Sequence, residues 1–431
     1  MTLHLAPARP RRQRIAALLA LATMVAATMV AGATEHPIFE AVRVPGSTGF
    51  EQGINLLPGG IIYVDEPPGL PGHGRLWKST DNGASFTQLS FPSPWGRFPG
   101  GGDTDVVLSH DDRVYFLDLW GGANAVTVSK DGGQTWAQGN PIVGVPTSDR
   151  QWIGLGERDE LLGEDTVYVI YSKLFVQPDW TYIARSRDGG LTWTYHAPIV
   201  WDVPVNDDMT AVGEGSPQGP TGNLVTDGTF LAFTWEDAGR MWAAYSSDEG
   251  ETWSRSFIGS GADNNIPSIA LDGNNLHVTY VSSDNRTVMV ATSTNRGATW
   301  SDPKAVATGG TSVFSWVAAR DGKVGVAWYT ADAEVPTPDD LPAEDFWHVR
   351  YVESVDNGDT FTAPVLVASD VKKGPICTQG LNCNTTGSGG REVGDFIALE
   401  IGYDGMTSIA HYAARGPQGW VSRQVRPVEE A

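Results

Sequence analysis

The sequence predicts an all-β fold, a β-propeller built from four-stranded blades. An eight-residue motif, Ser-x-Asp-x-Gly-x-Ser/Thr-Trp/Phe (Asn replaces Asp in one copy), occurs six times, and the spacings between consecutive copies are 50, 57, 60, 47 and 61 residues. Short strand-like runs fill the intervals, and 51 glycines and 27 prolines supply the turns between them. Four strands repeated at this period are typical of propeller blades.

Each copy of the motif is predicted to form the turn between the third and fourth strands of a blade. The aspartate or asparagine accepts hydrogen bonds from the backbone, and the glycine tolerates a left-handed conformation. The aromatic residue begins the next strand and buries a large ring. Because six equivalent copies cannot all be an active site, we expect a structural role for Asp81, Asp131, Asp188, Asp248, Asn295 and Asp356.

The predicted number of blades is seven, with six as the alternative. Six motifs imply at least six blades, and three strand-like runs without a motif follow the last copy, at 396–401, 406–412 and 420–425. A further strand at 37–44 has no partner near it in the sequence. Pairing that strand with the last three would close the ring and leave no free sheet edge.

Residues 1–33 are predicted to be a signal peptide, and residues 34–431 a single propeller domain. Four arginines precede an uncharged apolar run at 15–31, and Ala31-Gly32-Ala33 fits the small-x-small cleavage pattern. An uncleaved membrane anchor is the alternative interpretation. We therefore expect a secreted or cell-envelope protein with no membrane span after cleavage.

Charge and cysteine content limit the partners and cofactors. The formal net charge of −22 argues against nucleic acid, whose phosphates require a basic surface. In an exported chain, Cys377 and Cys383 are expected to form a structural disulfide, since two cysteines without a nearby histidine are a poor metal site. We expect no cofactor, with structural calcium on acidic turns as the alternative, and a monomer.

The repeated motif resembles the Asp-box, or bacterial neuraminidase repeat, of the sialidase-like superfamily, and the resemblance covers nearly the whole chain after residue 33. The stretches at 101–105 (GGDTD), 149–153 (DRQWI) and 394–396 (GDF) resemble those of exported bacterial sialidase-like proteins. The resemblance implies a propeller directed at carbohydrate. The superfamily includes sialidases, other glycosidases, lyases and non-catalytic binding propellers, so the motif does not determine the reaction.

Strict sialidase activity is not expected. Sialidases carry an Arg-Ile-Pro motif before their first Asp-box, and its arginine begins a clamp on the substrate carboxylate. This sequence contains no Arg-Ile-Pro, and its nearest string, Arg97-Phe98-Pro99, follows the first motif copy. None of the 12 tyrosines is selected as a nucleophile by its spacing.

Candidate functional residues lie at the predicted starts of inner strands, because these strands line the channel of a propeller and its mouth forms the usual pocket. Asp103, Asp105, Asp149 and Asp395 are candidate acid, base or nucleophile for glycoside hydrolysis. The candidate substrate-binding residues are Arg150, Gln151 and Trp152. Trp120 and Trp316 are further candidates for stacking on sugar rings.

Two alternatives remain open at this point. The polar residues could only tie neighbouring blades together through hydrogen bonds. The protein could also be a propeller that binds a glycan, a glycoconjugate or a protein without turnover, which would agree with the missing sialidase motif.

Overall fold

The computed structural model describes residues 37–69, 72–90, 102–120, 123–142, 148–173, 180–200, 221–263, 265–380, 383, 390–413 and 418–425. These residues form seven antiparallel sheets of four strands each, which confirms the predicted seven-bladed propeller. The predicted signal peptide lies outside the described residues and stays a prediction. Within the described ranges, no helix has the length and apolar character to cross a membrane.

Six blades are each built from four consecutive strands, in order from the channel outwards. They are blade 1, β2 (Gly53–Leu57), β3 (Ile61–Glu66), β4 (Arg75–Ser79) and β5 (Thr87–Gln88); blade 2, β6 (Thr104–Leu108), β7 (Val114–Trp120), β8 (Ala123–Ser129) and β9 (Ala137–Gln138); blade 3, β10 (Ser148–Asp159), β11 (Glu164–Lys173), β12 (Thr181–Ser186) and β13 (Tyr195–Pro198); blade 4, β14 (Val225–Asp227), β15 (Phe230–Asp237), β16 (Arg240–Ser246) and β17 (Ser254–Ser260); blade 5, β18 (Ser268–Asp272), β19 (Asn275–Val281), β20 (Thr287–Ser293) and β21 (Lys304–Thr308); and blade 6, β22 (Thr311–Arg320), β23 (Lys323–Ala331), β24 (Phe346–Ser354) and β25 (Val365–Lys373). A short 3-10 helix, Pro338–Asp340, lies between β23 and β24.

Blade 7 combines the two ends of the described chain. It contains β26 (Ala398–Ile401), β27 (Thr407–Ala413) and β28 (Gln418–Val425), and its outer strand is β1 (Ile38–Arg43). β1 runs antiparallel to β28, with Ile38 opposite Val425 and Arg43 opposite Trp420. The prediction that the N-terminal strand completes the last sheet is therefore confirmed.

The inner strands surround a central channel. Each of β2, β6, β10, β14, β18, β22 and β26 contacts the next, and β26 contacts β2. Buried aliphatic and aromatic side chains fill the spaces between the blades. Because every blade begins with its inner strand, the starts of these strands meet at one mouth of the channel.

The repeated motif forms the turn between the third and fourth strands. In blade 2, the backbone N–H of Thr135 donates to Oδ1 of Asp131 over 2.8 Å, and the Thr135 hydroxyl donates to Oδ2 over 2.6 Å. Ser129 also donates to this carboxylate, and its hydroxyl accepts the N–H of Gly133. Asp131 is thus fully used by its own turn, and the other copies repeat this pattern.

Candidate functional site

Six charged side chains converge at the mouth where the inner strands begin. We call this set the mouth cluster; its members are Glu51, Asp103, Asp149, Arg150, Arg391 and Asp395. They come from blades 1, 2, 3 and 7 or from the segments just before their inner strands. The sequence therefore brings together residues that are more than 300 positions apart.

Positive φ angles and a β-bulge determine the directions of the side chains at this mouth. Glu51 and Arg150 both have positive φ angles, 46° and 51°. β10 changes register between Asp149 and Trp152, which is the signature of a β-bulge at Arg150. Gly394 has a φ of 70°, and a Cβ there would lie 1.9 Å from Cγ of Glu51. Only glycine therefore allows the chain before Asp395 to pass so close to Glu51.

Asp395 pairs with both arginines of the mouth cluster. Its two oxygens accept from Nη1 and Nη2 of Arg391 at 2.8 and 3.1 Å, which is a bidentate ion pair. Arg150 also contacts Asp395 directly. Glu51 lies 3.6 Å from a guanidinium nitrogen of each arginine. Arg150 and Asp395 are each 6% exposed, so their opposite charges compensate one another away from water.

Three carboxyl groups of the cluster differ sharply in acidity. Burial raises the pKa of Glu51 to about 8, and the negative charge of Asp103 adds to this effect. Burial followed by the charge of Asp103 likewise raises the pKa of Asp149 to about 8. Asp103 is different, because Arg150 and hydrogen bonds from Asp149 and Glu51 outweigh burial and lower its pKa. At neutral pH, Asp103 is thus ionised between two protonated acids.

Asp105 lies apart from the cluster, in the wall of the channel. Its Oδ2 accepts the backbone N–H of Ile153 in blade 3 over 2.9 Å, and its Oδ1 accepts that of Val106. Burial and the nearby Asp65 raise its pKa well above the usual range. These contacts join neighbouring blades, which is the structural alternative that the sequence left open for such residues.

Gln151 and Trp152 lie just below the mouth cluster. The side-chain amide of Gln151 donates to the backbone carbonyl of Asp103. The indole N–H of Trp152 donates to the carbonyl of Thr221 over 3.0 Å. Both side chains are at most 4% exposed. These bonds tie blade 3 to the segments that lead into blades 2 and 4.

Three aromatic rings close the channel beneath the cluster. The ring centroids of Trp152, Trp316 and Phe396 lie 5.2 to 5.6 Å apart, and the rings belong to blade 3, blade 6 and the segment leading into blade 7. We call them the aromatic plug. Because Trp152 and Trp316 are 4% and 9% exposed, they are not open surfaces for stacking on a sugar. The side chain of Trp120, the third candidate, lies outside the described residues.

A separate cavity lies on the other side of the plug. Its volume is about 270 Å³, and the aromatic plug forms one of its walls. The polar side chains in its lining include Asn55, Asp105, Asn223, Arg320 and Glu400. Asn55 and Asn223 bond to the backbone of the next blade, as Asp105 does. The side chains of Asn55, Asp105 and Asn223 at this end of the channel therefore link neighbouring blades.

The sequence did not single out two members of the mouth cluster, Glu51 and Arg391. Glu51 precedes a strand that the motif copies do not mark, and Arg391 lies at the end of the loop that also carries the cysteines. Cys377 and Cys383 form the expected disulfide. The N–H of Cys377 donates to the carbonyl of Gly390 over 3.2 Å, beside Arg391. In the sequence, the position of Arg391 four residues before Asp395 is the signal that could have identified it as a partner of that carboxylate.

Several buried polar atoms near the plug have no hydrogen-bond partner among the described residues. They are Nη1 of Arg150, Oε1 of Gln151, Nδ2 of Asn265 and Oγ of Ser315. Such atoms are costly to leave unpaired, so they point to a polar species that the site accommodates. Within the described ranges, no group of three or more His, Cys, Asp or Glu side chains is arranged to hold a metal ion.

Comparisons with known proteins find similarity of fold. No protein-family model and no curated protein sequence matches the chain. Among solved structures, a mutant of the NanB sialidase from Streptococcus pneumoniae is 12% identical with a TM-score of 0.43, and the match covers 90% of this chain and 70% of that one. The Aleuria aurantia lectin in complex with a fucoside is 12% identical with a TM-score of 0.46, covering 76% and 99%.

A phage phi92 endosialidase matches at 11% identity and a TM-score of 0.45, covering 91% of this chain and 70% of its own. With identities of 11–12% and TM-scores below 0.5, these likenesses assign no family and no activity to the chain. Its architecture is established by the structure itself, which is a seven-bladed β-propeller of four-stranded blades.

Proposed function

We propose that the mouth cluster binds a glycan and that the protein is a glycoside hydrolase. The observation that carries this proposal is the contrast between Asp149 and Asp103, two carboxyl groups in contact whose pKa values are displaced in opposite directions. One group that holds a proton at neutral pH beside one that has lost it provides an acid and a base for the same reaction.

In this proposal Asp149 donates its proton to the glycosidic oxygen as the bond to the leaving group breaks. Asp103, which Arg150 keeps ionised, attacks the anomeric carbon as that bond breaks and forms a covalent glycosyl intermediate. Water then displaces Asp103 from that carbon, and Asp149, now deprotonated, accepts the proton of the water. Retaining glycosidases hold their two carboxyl groups about 5–5.5 Å apart, whereas inverting enzymes need about 6.5–9.5 Å. Because Asp103 and Asp149 share a hydrogen bond, a sugar oxygen entering between them would produce the shorter separation, which favours retention.

A propeller that binds glycan without turnover is the second candidate. The observation in its favour is that Asp395 and Asp103 already balance the charges of both arginines of the cluster. A site whose charges are already balanced can bind a ligand through hydrogen bonds without converting it to a product. In that case Asp103 and Asp149 would act as acceptor and donor to sugar hydroxyls.

The deciding experiment is a turnover screen. Protein from Thr34 onward would be incubated with fluorogenic glycosides, including a sialoside, and with mixed polysaccharides. We expect product with the unmodified protein and loss of product with Asp103→Asn and Asp149→Asn. Asp302→Asn, an exposed aspartate away from the mouth, is the matched control. Saturable binding without any product would favour the second candidate.

We further propose that the protein acts outside the cytoplasm as a monomer. The Cys377–Cys383 disulfide supports an oxidising compartment. The N-terminal sequence at 1–33 and the net charge of −22 support export and a partner other than nucleic acid. N-terminal sequencing of the protein recovered from culture medium tests the cleavage site, and light scattering tests the monomer.

A further inference from the structure

Both guanidinium groups of the mouth cluster already face carboxylates of the protein, although Nη1 of Arg150 has no hydrogen-bond partner among the described residues. Among the described residues of this mouth, the two arginines are Arg150 and Arg391. Arg391 forms a bidentate pair with Asp395, and Arg150 contacts the same carboxylate. Arg150 also faces Asp103, with 4.0 Å between its Nε and Oδ2. Two cations are therefore balanced by two carboxylates of the protein itself.

An acidic sugar would enter this arrangement at a disadvantage. Its carboxylate would have to displace Asp395 or Asp103 from an arginine, or lie beside them as a third negative charge. Removing a carboxylate from water without a cation costs several kcal/mol, and like charges at contact distance oppose binding further. The formal charge of −22 on the whole chain repels an anionic glycan at longer range as well.

The unpaired polar groups next to the plug suit an uncharged ligand. Gln151 and Ser315 each precede a tryptophan of the aromatic plug, and the Oδ1 of Asn265 accepts the N–H of Phe314 over 3.0 Å. Oε1 of Gln151, Nδ2 of Asn265 and Oγ of Ser315 are buried and have no hydrogen-bond partner among the described residues. One amide acceptor, one amide donor and one hydroxyl are complementary to sugar hydroxyls.

We propose that the mouth cluster selects neutral glycans and rejects their carboxylated counterparts. This inference rests on the proposed function, because it names the class of sugar that the same site takes. The self-pairing of Arg150 and Arg391 with Asp395 provides the rejection, and the neutral groups of Gln151, Asn265 and Ser315 provide the attraction.

The test uses an oligosaccharide array that pairs each neutral glycan with a carboxylated relative: asialo with sialylated chains, glucosides with glucuronides, and galactan fragments with polygalacturonate fragments. We expect the neutral member of the best-bound pair to bind at least about ten-fold more tightly, since a charged group left without a partner costs more than that factor. Equal or tighter binding of the acidic member overturns the inference while leaving a carbohydrate function in place. Failure to retain any glycan overturns the proposed function itself.

A variant tests the reason for the selectivity. Asp395→Asn removes the carboxylate shared by Arg150 and Arg391 and so frees a guanidinium. We expect the ratio of neutral to acidic affinity to move toward the acidic member by about ten-fold. Glu51→Gln, which leaves the Asp395 pairs in place, is the matched control and is expected to keep the ratio. A ratio unchanged in a folded Asp395→Asn protein overturns the explanation.

Discussion

Replacing Glu51 with glutamine is expected to change how the stability of the protein depends on pH. Glu51 is 1% exposed, and burial with the charge of Asp103 raises its pKa from 4.5 to about 8. The folded protein therefore keeps a proton on Glu51 that the unfolded chain releases above pH 4.5. Between these two values the folded state binds more protons, so the free energy of unfolding falls as the pH rises.

The size of the effect follows from proton linkage. One proton held only in the folded state lowers the free energy of unfolding by about 1.4 kcal/mol for each pH unit. Between pH 5 and pH 7.5, the loss of the Glu51 proton from the unfolded chain alone therefore lowers the free energy of unfolding of the wild-type protein by about 3 kcal/mol. Glutamine does not titrate, and its amide can donate to Asp103 as the protonated acid does. The free energy of unfolding of Glu51→Gln is thus expected to fall less steeply as the pH rises. At pH 7.5 this variant is expected to be more stable than the wild-type protein.

Urea unfolding at pH 5, 6, 7 and 7.5 measures both slopes. Glu344→Gln, at an exposed glutamate, is the control and is expected to follow the wild-type curve. Stability curves for Glu51→Gln and wild type that run parallel over this range would refute the reasoning, because they would mean that Glu51 is ionised in the folded protein.

Three further predictions concern the stability of the site. Arg150→Gln leaves Asp395 and Asp103 with less compensation and is expected to lower the free energy of urea unfolding by about 3–5 kcal/mol; adding Asp395→Asn should recover part of it, and no recovery would speak against the pair. Trp152→Ala opens a cavity in the aromatic plug and should cost about 3–5 kcal/mol by the same measurement, while a loss below 1 kcal/mol would mean that the rings do not pack as described. Replacing Cys377 and Cys383 with serine should cost about 2 kcal/mol, as expected for so short a loop, and should weaken glycan binding on the array because Arg391 lies on the same loop; unchanged binding would separate the disulfide from the site.

The fold could be predicted because its signals are local and repeated. The turn around Asp131 is built from residues within a span of seven, and six such turns reveal both the period and the third and fourth strands of six blades. The closing strand at Ile38–Arg43 could also be predicted, because a propeller with an open sheet edge is unfavourable and this strand had no other partner.

The site could be predicted only in part. The place of Asp103, Asp149, Arg150 and Asp395 at the mouth could be predicted because they lie at or just before the starts of inner strands, which is a rule about position. The same rule selected Asp105, since the sequence does not tell whether a side chain at a strand start meets its counterparts or bonds to the next blade.

Glu51 and the stacking tryptophans show a second limit. The proximity of Glu51 to Gly394 depends on a backbone conformation and a close approach that no spacing encodes. Trp152 and Trp316 were expected to face a sugar, but rings from several blades fill the axis of the ring where the strands come closest. Distances across the channel arise from the closure of the whole ring, which a local pattern does not contain.

The strand content of blade 7 also limits the order in which the ring can form. Among the described strands β1 comes first along the chain, and its partner β28 comes last. Six blades can each form from consecutive segments, whereas the seventh needs both of these distant strands. Until they pair, β1 has no sheet to join, and the first and sixth blades each have one face uncovered. The pairing of β1 with β28 is thus the step that converts a row of blades into a closed ring.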